Sequence, residues 1–150
     1  MTSPQKYLIE SQRVANIHSE NRWFHAEVGF FSAAGRILNI LKDRLVFGVG
    51  LDKVHFLEEL SDLLWWTCEL SVCSSAGQIF CETDWRKFSA VVPGGYNGCA
   101  SAILSLMKSE DPGRRIQSLS VACSHLGVTW DQICDISLNL LAKKYPKVYS

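Results

Sequence analysis

Five side chains capable of metal or proton chemistry lie within one short stretch of the chain: His55, Glu58, Glu59, Asp62 and Glu69. Glu59 and Asp62 are three residues apart and Glu58 and Asp62 four apart, so on a helix their carboxylates converge over a single turn. Carboxylates crowded in this way repel at neutral pH unless a cation lies between them. Hard oxygen ligands at this spacing suit Mg²⁺, which takes one or two carboxylates, several waters and a substrate phosphate. The same spacing also describes an acidic, solvated helix face. His25 and His55 stand near these acids with no pattern that commits either to a site, and Trp65-Trp66 reads as core and interface packing.

The elements that must hold these residues are helical. Ser3-Pro4 has the form of an N-cap and a first helical position, opening a helix through Tyr7, Leu8, Ile9 and Val14 to about Asn16. A second helix runs from about Trp23 to Arg44, with Phe30, Ala34, Ile37, Leu38 and Leu41 recurring at three- and four-residue steps. Phe47-Gly48-Val49-Gly50 breaks it. Asp52 caps a third helix that carries the acids and an apolar stripe of Phe56, Leu57, Leu60, Leu63, Leu64 and Cys68. Further on, Asp111-Pro112 starts a helix that reaches His125 and stops at Gly127. Thr129-Trp130-Asp131-Gln132 forms a capping box for a last helix to Lys144, ahead of Tyr145-Pro146.

Residues 74–115 have a different texture. Ser74-Ser75-Ala76-Gly77 and Val92-Pro93-Gly94-Gly95-Tyr96-Asn97-Gly98 are turn-rich, Cys99 to Met107 reads as a short helix, and Ile79-Phe80-Cys81 and Ala90-Val91-Val92 read as short strands. The segment also holds Trp85, Arg86, Lys87, Phe88, Tyr96 and Asn97, side chains suited to stacking a base and contacting phosphate. Its glycines would let backbone N–H groups approach an anion, although no Gly-Lys-Ser/Thr follows to make a P-loop. Alternatively the segment is a surface excursion with its own small core, or a subunit interface. The expectation is one all-α domain over residues 1–150, a helical bundle with an irregular insertion between the third helix and the C-terminal helices.

Composition narrows the function. The 150 residues carry 15 Lys+Arg against 15 Asp+Glu, and zero net charge argues against a dedicated nucleic-acid binder, which needs a basic excess. No apolar run approaches the roughly 18 residues of a membrane span, and the N-terminus lacks a signal-peptide core. The expectation is a cytoplasmic protein with neither a nucleic-acid nor a membrane partner. None of the six cysteines forms a Cys-x-x-Cys pair or has histidine at zinc-finger spacing. They read as reduced, small core hydrophobes, and neither Cys68 nor Cys73 has a base beside it for nucleophilic catalysis.

The stretch His25-Ala26-Glu27-Val28-Gly29-Phe30-Phe31-Ser32-Ala33-Ala34-Gly35-Arg36-Ile37-Leu38, followed by Ile40-Leu41-Lys42, Phe47-Gly48, Leu51-Asp52-Lys53 and Leu57-Glu58-Glu59-Leu60-Ser61-Asp62-Leu63-Leu64-Trp65-Trp66, resembles the MazG-like nucleoside triphosphate pyrophosphohydrolase family. The resemblance resumes at Leu126-Gly127-Val128-Thr129-Trp130-Asp131-Gln132-Ile133 and at Lys144-Tyr145-Pro146, covering about two thirds of the chain. It implies an all-α fold that forms homodimers or homotetramers around a nucleotide site. The implied chemistry is Mg²⁺-dependent cleavage of a nucleoside triphosphate to monophosphate and pyrophosphate, the metals bridging phosphate oxygens and activating a water. In that family a Glu-x-x-Glu pair on one helix and a Glu-x-x-Asp pair on the next supply the carboxylates.

This sequence keeps half of that site. Glu59 and Asp62 match the second pair, whereas Ala33 and Arg36 stand where the first pair is expected. Glu27, six residues before Ala33, points about 120° away around the helix. The resemblance also implies an Asn and a Lys ahead of the terminal Tyr-Pro; counting back reaches Ser137 and Leu140, with Asn139 and Lys143 nearby but out of register. Arg36, permanently charged and able to bind carboxylate or phosphate, either neutralises Glu59 and Asp62 as a metal would, contacts a bound phosphate, or lies on a solvated face.

The candidate ligand-binding set is Arg36, Lys42, Glu58, Trp85, Arg86, Tyr96, Asn97, Asn139 and Lys143, with Glu59 and Asp62 catalytic and metal-binding only in an active enzyme. Two functions compete. One is a MazG-like protein that sequesters a nucleotide or nucleotide-derived signal. The other is an active Mg²⁺-dependent pyrophosphohydrolase with its missing ligands drawn from Glu69, the insertion or another subunit. A structural partner without a ligand is a third, and a drifted small hydrolase with a private insertion suits a phage or mobile element.

Overall fold

The computed structural model describes residues 3–14, 20–83 and 94–149. Among them the chain is all-α, with no strand. Helix α1 spans Pro4–Ser11, capped by the Ser3 hydroxyl, which accepts from the Lys6 N–H. It gives way to a 3₁₀ turn over 12–14; the expected end near Asn16 lies outside the described residues. Helix α2 spans Arg22–Phe47 and closes on Gly48, whose φ of 66° is the left-handed geometry of a helix stop. Helix α3 spans Lys53–Cys73, with the Asp52 carboxylate accepting from the His55 N–H.

The insertion departs from expectation. Ile79-Phe80-Cys81 is no strand but part of α4, Gly77–Glu82. Burial here is one-sided: Phe80 is buried against Tyr7 and Trp130 while Ile79 stays exposed. A helical turn satisfies its own backbone, with the Phe80 N–H donating to the Ala76 carbonyl, whereas a lone strand would leave its N–H groups unpaired. The strand expected over 90–92 lies outside the described residues. Helix α5, Gly95–Lys108, begins four residues earlier than expected and buries Cys99, Ala102, Ile103 and Leu106, a helical i, i+3, i+4, i+7 pattern.

Helix α6, Pro112–His125, is capped by Asp111, and α7, Trp130–Lys144, opens on the expected capping box: the Thr129 hydroxyl accepts from the Gln132 N–H while the Gln132 amide oxygen accepts from the Thr129 N–H. One core joins these elements. Phe30, Ile37 and Leu41 of α2 meet Phe56, Leu60, Leu63 and Leu64 of α3 and Ile133 of α7, and Phe80, Ile103 and Leu106 from the insertion belong to the same cluster. The described part of the insertion is therefore helical and built into the main core, not an irregular excursion with a core of its own. Each such side chain, fully buried, contributes about 1.5–3 kcal/mol. Among the described residues no helix is long and apolar enough to cross a membrane.

Candidate functional site

Helices α2 and α3 form an antiparallel hairpin through residues 48–52. Their core faces fix the rotation of each helix, and that rotation brings Arg36 beside the α3 acids. The Arg36 Nε donates to Glu59 Oε2 at 2.8 Å and Nη2 donates to Asp62 Oδ2 at 2.8 Å. One guanidinium thus spans both carboxylates, with Arg36 48% exposed, Asp62 40% and Glu59 16%. The hydrogen bond to Glu59, then the charges of both acids, hold the Arg36 guanidinium above its ordinary value. Burial pushes the Asp62 carboxyl up, as does Glu59; Arg36, a hydrogen bond from Trp66 and the charge of Lys144 pull it down without cancelling the rise. His55 Nε2 lies 3.9 Å from the other Glu59 oxygen.

Ala33, at the other position where the resemblance expects an acid, is fully buried in the core. Glu58 is half-buried and takes no part in the clamp among the described residues. Glu69, considered above as a replacement ligand, is committed elsewhere: it is buried and receives Arg22 Nε at 2.6 Å and Nη2 at 3.3 Å. Among the described residues no three or more His, Cys, Asp or Glu side chains gather as metal ligands.

Asp62 also opens onto a cleft of about 330 Å³ walled by His25, Trp65 and Trp66 on one side and Ser137, Leu140, Leu141, Lys144 and Tyr145 on the other. Trp66 can lie flat against α2 because residue 29 is glycine: a Cβ there would sit 2.4 Å from the indole ring. His25 meets the Trp66 ring edge-on at 5.1 Å, and Trp65 meets it at 4.6 Å. The Trp65 indole N–H donates to the Ser11 carbonyl at 3.1 Å, so this ring both packs and lines the cleft. Behind the wall, the Tyr7 and Ser137 hydroxyls share a buried hydrogen bond of 2.7 Å.

Ser137 and Leu140, reached by counting back from Tyr145-Pro146, line this cleft, while Asn139 and Lys143 are exposed and do not. Lys144 is the cation on the α7 side, a residue the sequence reading missed. The 137, 140, 141, 144 spacing is a helical face and was the available signal. Lys42 is exposed on α2, and Asn97 is exposed in the first turn of α5. Tyr96 lies outside the cleft, under Arg44 (5.9 Å to the ring centroid) and edge-on to Phe56. Trp85 and Arg86 lie outside the described residues.

Among the described residues the arrangement offers aromatic surface, one cation, Lys144, and one carboxylate, Asp62, around a small opening, with the acidic pair bridged and half of its charge offset by Arg36. Comparisons with protein-family models, with curated proteins and with solved structures return no match.

Proposed function

We propose that this chain is a MazG-like protein that binds a nucleotide or a nucleotide-derived small molecule and does not turn it over. The observation that carries this reading is the Arg36 clamp across Glu59 and Asp62. A divalent ion would need the same carboxylate oxygens, and it would have to displace a permanently charged guanidinium at 2.8 Å from each. The residues present therefore do not fit Mg²⁺. Binding needs only contacts: the cleft volume lies at the lower end of the range for small-molecule sites, about 300–1,000 Å³. His25 and Trp66 supply stacking surface for a base, and Lys144 a charge for phosphate.

Self-association belongs to the same reading. Phe24, Val28, Gly35, Lys42 and Val46 follow one exposed line along α2, with Phe24 at 64% and Val46 at 68% exposure. Gly35 lies midway between Phe24 and Val46, so an antiparallel pair of α2 helices about a two-fold axis at Gly35 sets Phe24 against Val46 of the second copy, and the glycine permits close approach. Sedimentation of the wild type as a dimer, and of Phe24→Glu as a monomer, is the expected outcome.

The decisive experiment incubates the pure protein with a panel of nucleotides with and without Mg²⁺ and follows pyrophosphate release and thermal shift. A shift that is independent of Mg²⁺ and lost in Trp66→Ala, without turnover, is expected. Pyrophosphate release that disappears in Glu59→Ala and Asp62→Ala would show an active pyrophosphohydrolase and overturn the proposal.

A further inference from the structure

On the other flank of α2 lies a second groove, of about 340 Å³, which shares no lining residue with the cleft beside Asp62. Trp23, Glu27 and Phe31, one i, i+4, i+8 row of α2, form one wall; Lys108, Glu110 and Arg115 from the α5–α6 junction form the other. His25 and Glu27 are two residues apart, roughly 200° of helix rotation, so the two sites occupy opposite sides of the same helix.

Arg115 is the unusual member. Its Nε donates to the Ser109 carbonyl at 2.8 Å, and its guanidinium carbon lies 4.8 Å above the centre of the Phe30 ring. These two contacts fix the guanidinium plane before any ligand arrives. Among the described residues its terminal nitrogens make no hydrogen bond and no ion pair. Burial lowers its pKa, opposed by Glu27 and Glu110, which act on it through space. A half-buried, oriented guanidinium with free N–H donors has the form of a receptor for a carboxylate or a phosphate.

The remaining charges choose between these. The groove holds two bases, Arg115 and Lys108, and two acids, Glu27 and Glu110. A polyphosphate would meet both acids, and a simple cation both bases. A small molecule with one carboxylate and one ammonium group meets a partner for each. Glu27 is half-buried on the same row as the Trp23 and Phe31 rings, which stand 53% and 37% exposed. We propose that this groove binds a free α-amino acid with an aromatic or large apolar side chain. Its carboxylate pairs with Arg115, its ammonium group with Glu27, and its side chain lies against Trp23 and Phe31.

The test is calorimetric titration of the full chain with L-phenylalanine and L-tryptophan, beside 3-phenylpropionate and phenethylamine, which each carry one of the two charges. Saturable binding of an amino acid is expected, weaker by about tenfold or more for both single-charge analogues and in Arg115→Gln and Glu27→Gln. If Arg115→Gln fails to fold, Glu27→Gln and Trp23→Ala, the latter at a side chain 53% exposed, carry the same expectation. The proposal is overturned by the absence of saturable heat with either amino acid at millimolar concentration. It is equally overturned by analogues that bind as well as the zwitterions, or by binding that survives unchanged in the folded variants.

Discussion

Arg36→Glu converts the clamp into three neighbouring carboxylates, and its cost can be worked from the geometry. Two charge-assisted hydrogen bonds of 2.8 Å are lost. Arg36 and Asp62 are about half exposed and Glu59 largely covered. The loss therefore falls between the ~0.2–1 kcal/mol of an exposed pair and the ~3–5 kcal/mol of breaking a buried one, at about 2 kcal/mol. Like charges about 5 Å apart at an effective dielectric near 20 repel by about 3 kcal/mol, reduced by exposure and salt to about 1 kcal/mol. The total, about 3 kcal/mol, lowers Tm by roughly 6–12 °C for a chain of this size. Melting in EDTA measures this. Mg²⁺ or Mn²⁺ at a hundred times its Kd then restores about 2.7 kcal/mol to the variant, while the wild type, whose acids already hold a cation, does not respond. A variant that melts with the wild type in EDTA, or a divalent ion that stabilises both equally, would show that Arg36 does not stand in for a metal.

Three further outcomes are expected from the clamp, from the Gly29–Trp66 approach and from the burial of the cysteines. Asp62→Asn leaves Tm at pH 7 unchanged or raises it. The carboxyl pKa is lifted above its ordinary 3.8 in the folded state, so ionised Asp62 costs stability at neutral pH, and that cost disappears as pH falls through the raised value; the Tm difference between variant and wild type should close on acidification. Gly29→Ala drives a methyl group into the Trp66 ring, costing about 1–3 kcal/mol, and ligand binding in the cleft falls with Tm. In native protein, alkylation read by mass spectrometry should reach Cys73 and Cys81 first. Cys68 and Cys99 are buried with thiols pushed up to about 12, and Cys123 and Cys134 are pushed up further by burial, so these four should label only on unfolding.

The sequence made the hairpin and half the site readable because both depend on local periodicity. The apolar steps of α2 and α3 fix which side of each helix faces the core, and once those sides are known, Arg36 and the Glu59–Asp62 pair must face each other. The caps at Ser3, Asp52, Asp111 and Thr129 were readable for the same reason, each being a contact over two or three residues. What local pattern does not contain is tertiary context. Ile79-Phe80-Cys81 is β-prone by composition, yet Tyr7 and Trp130 receive Phe80 from one side only, and a helical turn meets that demand. Lys143 and Lys144 differ by about 100° around α7. Which of them serves the cleft is decided by Ser137 and Leu141 turning inward, a choice made by packing against α3 and invisible in the dipeptide itself.

Helix α2 lines both the cleft beside Asp62 and the Arg115 groove, and its rotation dictates how. Its core side is set by Phe30, Ala34, Ile37 and Leu41. From that fixed side, His25, Gly29 and Arg36 must fall on the flank toward the clamp and cleft, and Trp23, Glu27 and Phe31 on the flank toward Arg115. Each flank then takes its partners from a different part of the chain: α3 and α7 on one side, the insertion and α6 on the other. The Arg115 groove exists only because α5 packs on α2 and brings the α5–α6 junction against a helix whose residues lie some eighty positions earlier. The described part of residues 74–115 thus turns a flank of α2 into one wall of a groove, a consequence that follows from its burial in the common core.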